Sequence, residues 1–201
     1  MFKEDYIKNI DPNAMRRFMP GTVELRKADG KPPVGRGYAA KFNTLSEDFG
    51  GFKERISQGF FDEILGDDVR ALFNHDPNLI LGRSTNKTLR MGVDSTGLWY
   101  EWDDPDTSYS QDLMKSLERG DVDQSSFAFS IKEDRWDKMD GIWVRTLLKG
   151  SHLYDVSPVT YPAYPDTEAS ARSFASIVKK ERMADTDLLE VETELKIKTA
   201  V

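Results

Sequence analysis

Gln124-Ser125-Ser126-Phe127-Ala128-Phe129-Ser130-Ile131-Lys132 is the stretch on which the fold turns. Side chains of an extended strand point alternately to two faces. Ser125, Phe127, Phe129 and Ile131 then share one face, and Ser126, Ala128, Ser130 and Lys132 share the other. Two phenylalanines and an isoleucine make the first face core. The second face is small and polar. It predicts an open surface on which Ser126 sits beside Ala128, with room for a peptide to approach.

Other strand patterns flank this one. Downstream, residues 142–148 and 155–161 read as strands, and Pro158, Pro162 and Pro165 limit the last to an edge or a broken strand. Upstream, Val69-Arg70-Ala71-Leu72-Phe73 leads into Asn74-His75-Asp76-Pro77, where Asp-Pro signals a turn. Residues 88–93 and 98–102 are two strands separated by Asp94-Ser95-Thr96-Gly97, and Gly35–Phe42 is a strand entered through glycines. Two short helices are predicted. Ser57 caps a run to Gly66 with Phe60, Phe61, Ile64 and Leu65 on one stripe. Residues 110–118 place Leu113, Met114 and Leu117 together and stop at Gly120. The result is a mainly β chain of the α+β class, about seven strands with helical decoration, in a barrel or sandwich.

The ends read differently. Residues 1–21 mix charge with Asp11-Pro12 and Met19-Pro20-Gly21, and form a loosely packed lead-in. Residues 22–170 hold the folded domain. Residues 171–201 form a charged tail without glycine or proline, an arm that orders on a partner or is removed. Its Leu189, Val191, Leu195 and Ile197 suit a strand, while Leu188, Val191 and Leu195 suit a helix face, so the period leaves both open.

Composition removes several function classes. The 201 residues carry 28 Lys+Arg against 35 Asp+Glu, a net charge of −7, which argues against a generic nucleic-acid binder. There is no cysteine, hence no disulfide framework, cysteine zinc site or cysteine nucleophile. No run approaches the ~18 apolar residues of a membrane span. Met1–Ile10 is charged and lacks the apolar centre of a secretory signal. A cytoplasmic site of action is expected, with neither nucleic acid nor membrane as partner.

Only two histidines are present, His75 and His152. They lie far apart in the chain with no H-E-x-x-H spacing, so no metal site is expected. His75 ends an apolar strand, a place from which a ring projects into a cleft, and imidazole suits general-base work near neutral pH. Ser126 is a hydroxyl on the small face. Asp155 opens Asp155-Val156-Ser157-Pro158-Val159, where a carboxylate can accept from an imidazole Nδ1–H and hold its tautomer. His152 is an alternative orienter. Each has a bland reading when taken alone. Strand serines are mostly inert, turn histidines mostly cap or face solvent, and strand-end aspartates are mostly solvated. Nucleophilic chemistry needs convergence in space. Chain order does not show it, because triads occur in several orders. An α/β-hydrolase is excluded, since no G-x-S-x-G elbow surrounds Ser126.

Taken together, several segments resemble the prohead maturation proteases of tailed bacteriophages. They are Gly37-Tyr38-Ala39, Gly59-Phe60-Phe61-Asp62, Val69 through Pro77, Leu81-Gly82-Arg83, Gly97-Leu98, Gly120 through Phe129, and Asp155 through Tyr164. The resemblance runs over residues 22–170. It rests on N-H-D-P, S-F-x-F and V-S-x-V-T-x-P-A in that order. That family is similar in fold to the herpesvirus assemblins, and it implies a small closed β-barrel surrounded by helices. It further implies a serine endopeptidase with Ser126 as nucleophile, His75 as general base and Asp155 as third member. The family often has glutamate in place of Asp155 and glycine in place of Ala128. In the assemblins the third member is a histidine, which keeps His152 open. No cofactor is implied. The implied substrate and packaging partner is the major capsid protein, cut in its N-terminal scaffolding segment within the procapsid, with self-cleavage and self-association also implied. A non-catalytic assembly protein of the same fold is the competing expectation.

Overall fold

In the computed structural model, residues 9–19, 23–27, 33–161, 173–179, 181 and 183 are described. The chain divides into two compact units, residues 1–166 and 167–201. In the second, residues 173–179 are helical. The run 188–197, whose period suited both strand and helix, lies outside the described residues.

The first unit is mainly β, and a long hairpin organises it. Strand β9 (Gln124–Met139) and strand β10 (Ile142–Val159) pair antiparallel along their length. The two-residue connection Asp140-Gly141 has φ of 50° and 80°. A tight hairpin whose twist matches its strands needs positive φ at both central residues, and Asp-Gly supplies it. This turn signal stands in the sequence, yet the alternation of residues 124–132 and 142–148 does not reveal that the strands continue through to it.

Strand β10 is long enough to take two partners in tandem on one edge. Its first half pairs in parallel with β4 (Phe52–Ile56), and Asp155-Val156 pair in parallel with β5 (Arg70–Phe73). β5 continues antiparallel to β6 (Asp76–Arg83). On the other side of the hairpin, β1 (Met15–Met19) pairs antiparallel with β9. The second sheet has the order β2-β3-β8-β7, formed by Val23–Arg26, Val34–Lys41, Gly97–Asp103 and Leu89–Val93.

Ten strands therefore occur among the described residues, against about seven expected, and their hydrogen bonds run as two ladders rather than one closed ring. Residues 15–19, assigned to a loose lead-in by composition, form β1. One core lies between the sheets. Tyr100 and Trp102 of β8 stack there at 5.6 Å, and Phe127 and Phe129 of β9 stack at 4.6 Å. Full burial of each such ring contributes about 1.5–3 kcal/mol.

The helix α1 (Ser108–Arg119) forms where Leu113, Met114 and Leu117 predict it, capped by Thr107 and ended by left-handed Gly120. The other predicted helix, over 57–66, is a succession of turns. Gly59 sits at φ 91°, and the bonds Phe60 N–H to Ser57 C=O and Asp62 N–H to Gly59 C=O are of the tighter i→i+3 kind. The stripe still reaches the core. Phe60 packs edge-on to Phe61 at 4.9 Å and to Phe129 at 5.5 Å.

Gly97 marks a close approach between strands. A Cβ there would lie 1.9 Å from the Ala40 carbonyl oxygen, a backbone atom that cannot step aside. Gly97→Ala is expected to cost on the order of 3 kcal/mol and lower Tm by about 10 °C, read by calorimetry.

Candidate active site

The β5–β6 hairpin turns through Asn74 and His75, whose φ values are 55° and 54°. The sequence reading puts the turn at Asp76-Pro77, but those residues already belong to β6. A histidine in the left-handed region is uncommon and is held there by its surroundings. The holding contacts run to the end of β10. Asn74 N–H donates to the Pro158 carbonyl at 3.0 Å, and Asn74 Oδ1 accepts from Thr160 N–H at 2.9 Å and Thr160 Oγ at 3.2 Å. The turn carrying His75 is thereby docked on the strand that carries Asp155.

The base of the same hairpin is pinned by Asp68. Arg83 forks onto its carboxylate at 2.7 and 2.6 Å and holds the pKa at about 2. A depressed carboxylate stabilises the fold above its unfolded value of 3.8 and loses that contribution as pH falls through about 2. A carboxyl-carbon NMR titration of Asp68 should therefore remain flat from pH 7 to about 4.

A β-bulge brings Asp155 into place. Leu153 pairs with Phe129 on the core face, and one register step later Asp155 pairs with Ala128, leaving Tyr154 as the extra residue. With an unbroken register Asp155 would oppose Phe127 and point into the core. The bulge moves it to the other face, which carries Ser126. Ser157 follows directly opposite Ser126.

On that face three groups form a hydrogen-bonded series. Ser126 Oγ lies 2.6 Å from His75 Nε2, and His75 Nδ1 lies 2.5 Å from Asp155 Oδ1. Asp155 reaches the ring although it is one methylene shorter than glutamate. Asp155 Oδ1 also accepts from Ser157 Oγ at 2.9 Å. In such an arrangement the carboxylate fixes the tautomer with hydrogen on Nδ1, leaving the Nε2 lone pair to take a hydroxyl proton. Ser157, Asn74 and Thr160 were not singled out in the sequence; only their places in the N-H-D-P and V-S-x-V-T segments pointed to them.

The face is not open, as the strand pattern had suggested. Ser126 and Asp155 are 0% exposed and His75 is 7% exposed. Ala128 is covered by Ala14 and Tyr154, and the main chain of β1 runs alongside, with Phe18 opposite Ser126. Alternation in β9 distinguishes core from site but not site from solvent.

The neighbouring serine belongs to the core. Ser125 Oγ lies 2.7 Å from the Tyr100 hydroxyl, whose pKa burial pushes far above the ordinary phenol value. Ser125→Ala leaves one buried hydroxyl without that partner. It is expected to cost about 1–3 kcal/mol in denaturant unfolding and leave the Ser126–His75 pair untouched.

His152 is exposed, lies 3.2 Å from Ser151 Oγ through Nδ1, and stacks on Tyr154 at 5.9 Å. The described contacts of His75 run to Ser126 and Asp155, not to His152. Among the described residues no three acidic or histidine side chains are grouped to hold a metal ion, and no helix is long and apolar enough to cross a membrane.

A family model described as Caudovirus prohead serine protease matches residues 22–181, most of the chain. The solved structure of the bacteriophage T4 capsid assembly protease is similar over 71% of this chain and 97% of that one, at 10% identity and a TM-score of 0.41. No curated protein matches.

Proposed function

The chain belongs to the caudovirus prohead serine protease family, and from that footing we propose that it is a serine endopeptidase of capsid maturation using Ser126, His75 and Asp155. The observation that carries this reading is the unbroken series Ser126–His75–Asp155, with both ring nitrogens engaged.

In the proposed reaction His75 Nε2 takes the Ser126 proton as Oγ bonds to the scissile carbonyl carbon. Asp155 stabilises the imidazolium that forms. The tetrahedral adduct collapses with cleavage of the C–N bond, and His75 returns the proton to the departing amine. Water then attacks the acyl ester as Nε2 takes its proton, the acyl C–Oγ bond breaks, His75 returns that proton to Ser126 Oγ, and the carboxylic product leaves. Ser157 keeps Asp155 aligned throughout.

The proposed substrate is the N-terminal scaffolding segment of the major capsid protein, cut inside the procapsid in the host cytoplasm, with self-cleavage as a second reaction. Residues 22–170 are proposed as the protease domain and the charged segment 171–201 as a packaging or self-cleaved arm. A shell supplies substrate at high effective concentration, so modest affinity suffices.

The test is intact-mass analysis of the capsid protein and of this chain after incubation together in assembled procapsids. Discrete truncation of the capsid protein supports the reading. An untouched capsid protein in shells that contain this chain would make it a non-catalytic assembly protein of the same fold.

A further inference from the structure

His75 and Asp155 belong to different elements, and the main-chain ladder joining those elements is short. β10 pairs with β5 through two residues, Asp155 opposite Arg70 and Val156 opposite Ala71. Across this joint His75 Nδ1 meets Asp155 Oδ1 at 2.5 Å. The other edge of β10 gives no firmer measure, because the unpaired Tyr154 interrupts the ladder with β9 directly before Asp155. The joint must be fixed from outside both ladders. Downstream, Asn74 supplies one clamp, on Pro158 and Thr160.

Upstream the clamp is a side chain. β4 leaves β10 at Leu147, and residues 57–67 follow that edge before β5 begins. Ser57 N–H and Oγ donate to the Leu147 carbonyl at 3.0 and 2.9 Å, and Gly150 N–H donates to the Phe60 carbonyl at 2.9 Å. Leu153 N–H, immediately before the bulge residue, donates instead to a carboxylate, Asp67 Oδ2, at 2.9 Å. Such a charge-assisted bond is roughly twice as strong as a neutral one. Asp67 is in turn tied to the hairpin that carries His75. Its carbonyl accepts from Ser84 Oγ at 2.9 Å, and Ser84 N–H donates to the Val69 carbonyl at 2.9 Å. The carboxylate therefore moves with the β5–β6 hairpin.

We propose that Asp67 is a positioning residue for the triad: by holding Leu153 N–H it fixes the start of the bulge against the hairpin that carries His75, and so sets the separation of His75 and Asp155. This rests on the serine endopeptidase reading. The span from Leu153 to Asp155, slack where Tyr154 is unpaired, is measured against the span from Asp67 to Arg70.

Imidazole NMR and the rate of capsid-protein cleavage are read for the full chain and for Asp67→Ala, Asp67→Ser, Asp67→Asn and Asp68→Ala. A proton held between Nδ1 and a buried carboxylate resonates at low field. His152, the other histidine, is exposed and exchanges its ring protons with water, so this signal reports His75. Asp67→Ala is expected to lose the signal and slow cleavage by about 10–100-fold, the usual effect of misplacing a catalytic group by about 1 Å. Asp67→Ser suits a turn and guards against a misfolded alanine variant, and its shorter side chain stops one bond short of Leu153 N–H, so the same losses should follow. Asp67→Asn keeps an acceptor oxygen and should retain the signal, with cleavage within about threefold of wild type. Asp68→Ala loosens the base of the hairpin without touching Leu153, and should match wild type in both readings.

Wild-type signal and cleavage in Asp67→Ala or Asp67→Ser overturns the proposal. Equal losses in Asp67→Asn or Asp68→Ala overturns it too, since a general loosening of the hairpin then accounts for the effect. A signal that depends on Asp67, with no cleavage by any chain, supports the clamp and counts against the endopeptidase. Normal cleavage with a signal indifferent to Asp67 removes the clamp and leaves the endopeptidase.

Discussion

Ser126→Ala is expected to abolish processing of the capsid protein, with a loss of about 10⁶-fold in rate, the usual consequence of deleting the nucleophile of a triad. The substitution removes one oxygen from a fully buried position and adds nothing, so fold and assembly should survive. His75 Nε2 loses its partner at 2.6 Å, a stability effect of about 1–3 kcal/mol at most. Procapsids carrying this variant should therefore contain the chain and full-length capsid protein side by side, visible as unshifted masses. Wild-type rates in Ser126→Ala would place the nucleophile elsewhere. Loss of activity in Ser125→Ala with retention in Ser126→Ala would exchange the roles of the two faces of β9.

The second large effect is expected at Asp155→Asn, about 10⁴-fold in kcat with little change in KM. Asp155 Oδ1 takes two donors, His75 Nδ1 and Ser157 Oγ. Turned one way, an asparagine keeps its carbonyl there; turned the other, its amide donates to Nδ1 and drives the imidazole proton to Nε2. The second tautomer has no lone pair facing Ser126. No imidazolium forming during the reaction finds a counter-charge in either case. Imidazole nitrogen NMR of the variant reads the tautomer directly, and a wild-type kcat would remove Asp155 from the mechanism.

What composition and periodicity convey about this chain stops at particular physical limits. The alternation of Phe127 and Phe129 against Ser126 and Ala128 is a one-strand property, and it separates the two faces correctly. Exposure is a property of what lies on top, so the burial of Ser126 beneath neighbouring segments has no signal within β9. β1 was missed because Met15-Arg16-Arg17-Phe18-Met19 is too charged to read as sheet. Its buried arginine is matched by Glu54, 37 positions away. The run 57–66 has a helix stripe, but Gly59 takes a left-handed conformation that a regular helix excludes. Ser126, His75 and Asp155 are brought within hydrogen-bonding distance by a left-handed turn and a bulge, neither of which residue spacing records. The family resemblance, not periodicity, grouped those three residues.

The bulge at Tyr154 is what lets one strand serve two faces. Were Tyr154 drawn into the ladder with Leu153 still opposite Phe129, Asp155 and Ser157 would turn into the core and Val156 would come out to meet His75. Loss of the unpaired residue has no such effect, because Asp155 already stands opposite Ala128 and Ser157 opposite Ser126. Aligned relatives can therefore dispense with position 154 and keep their acid in the same column.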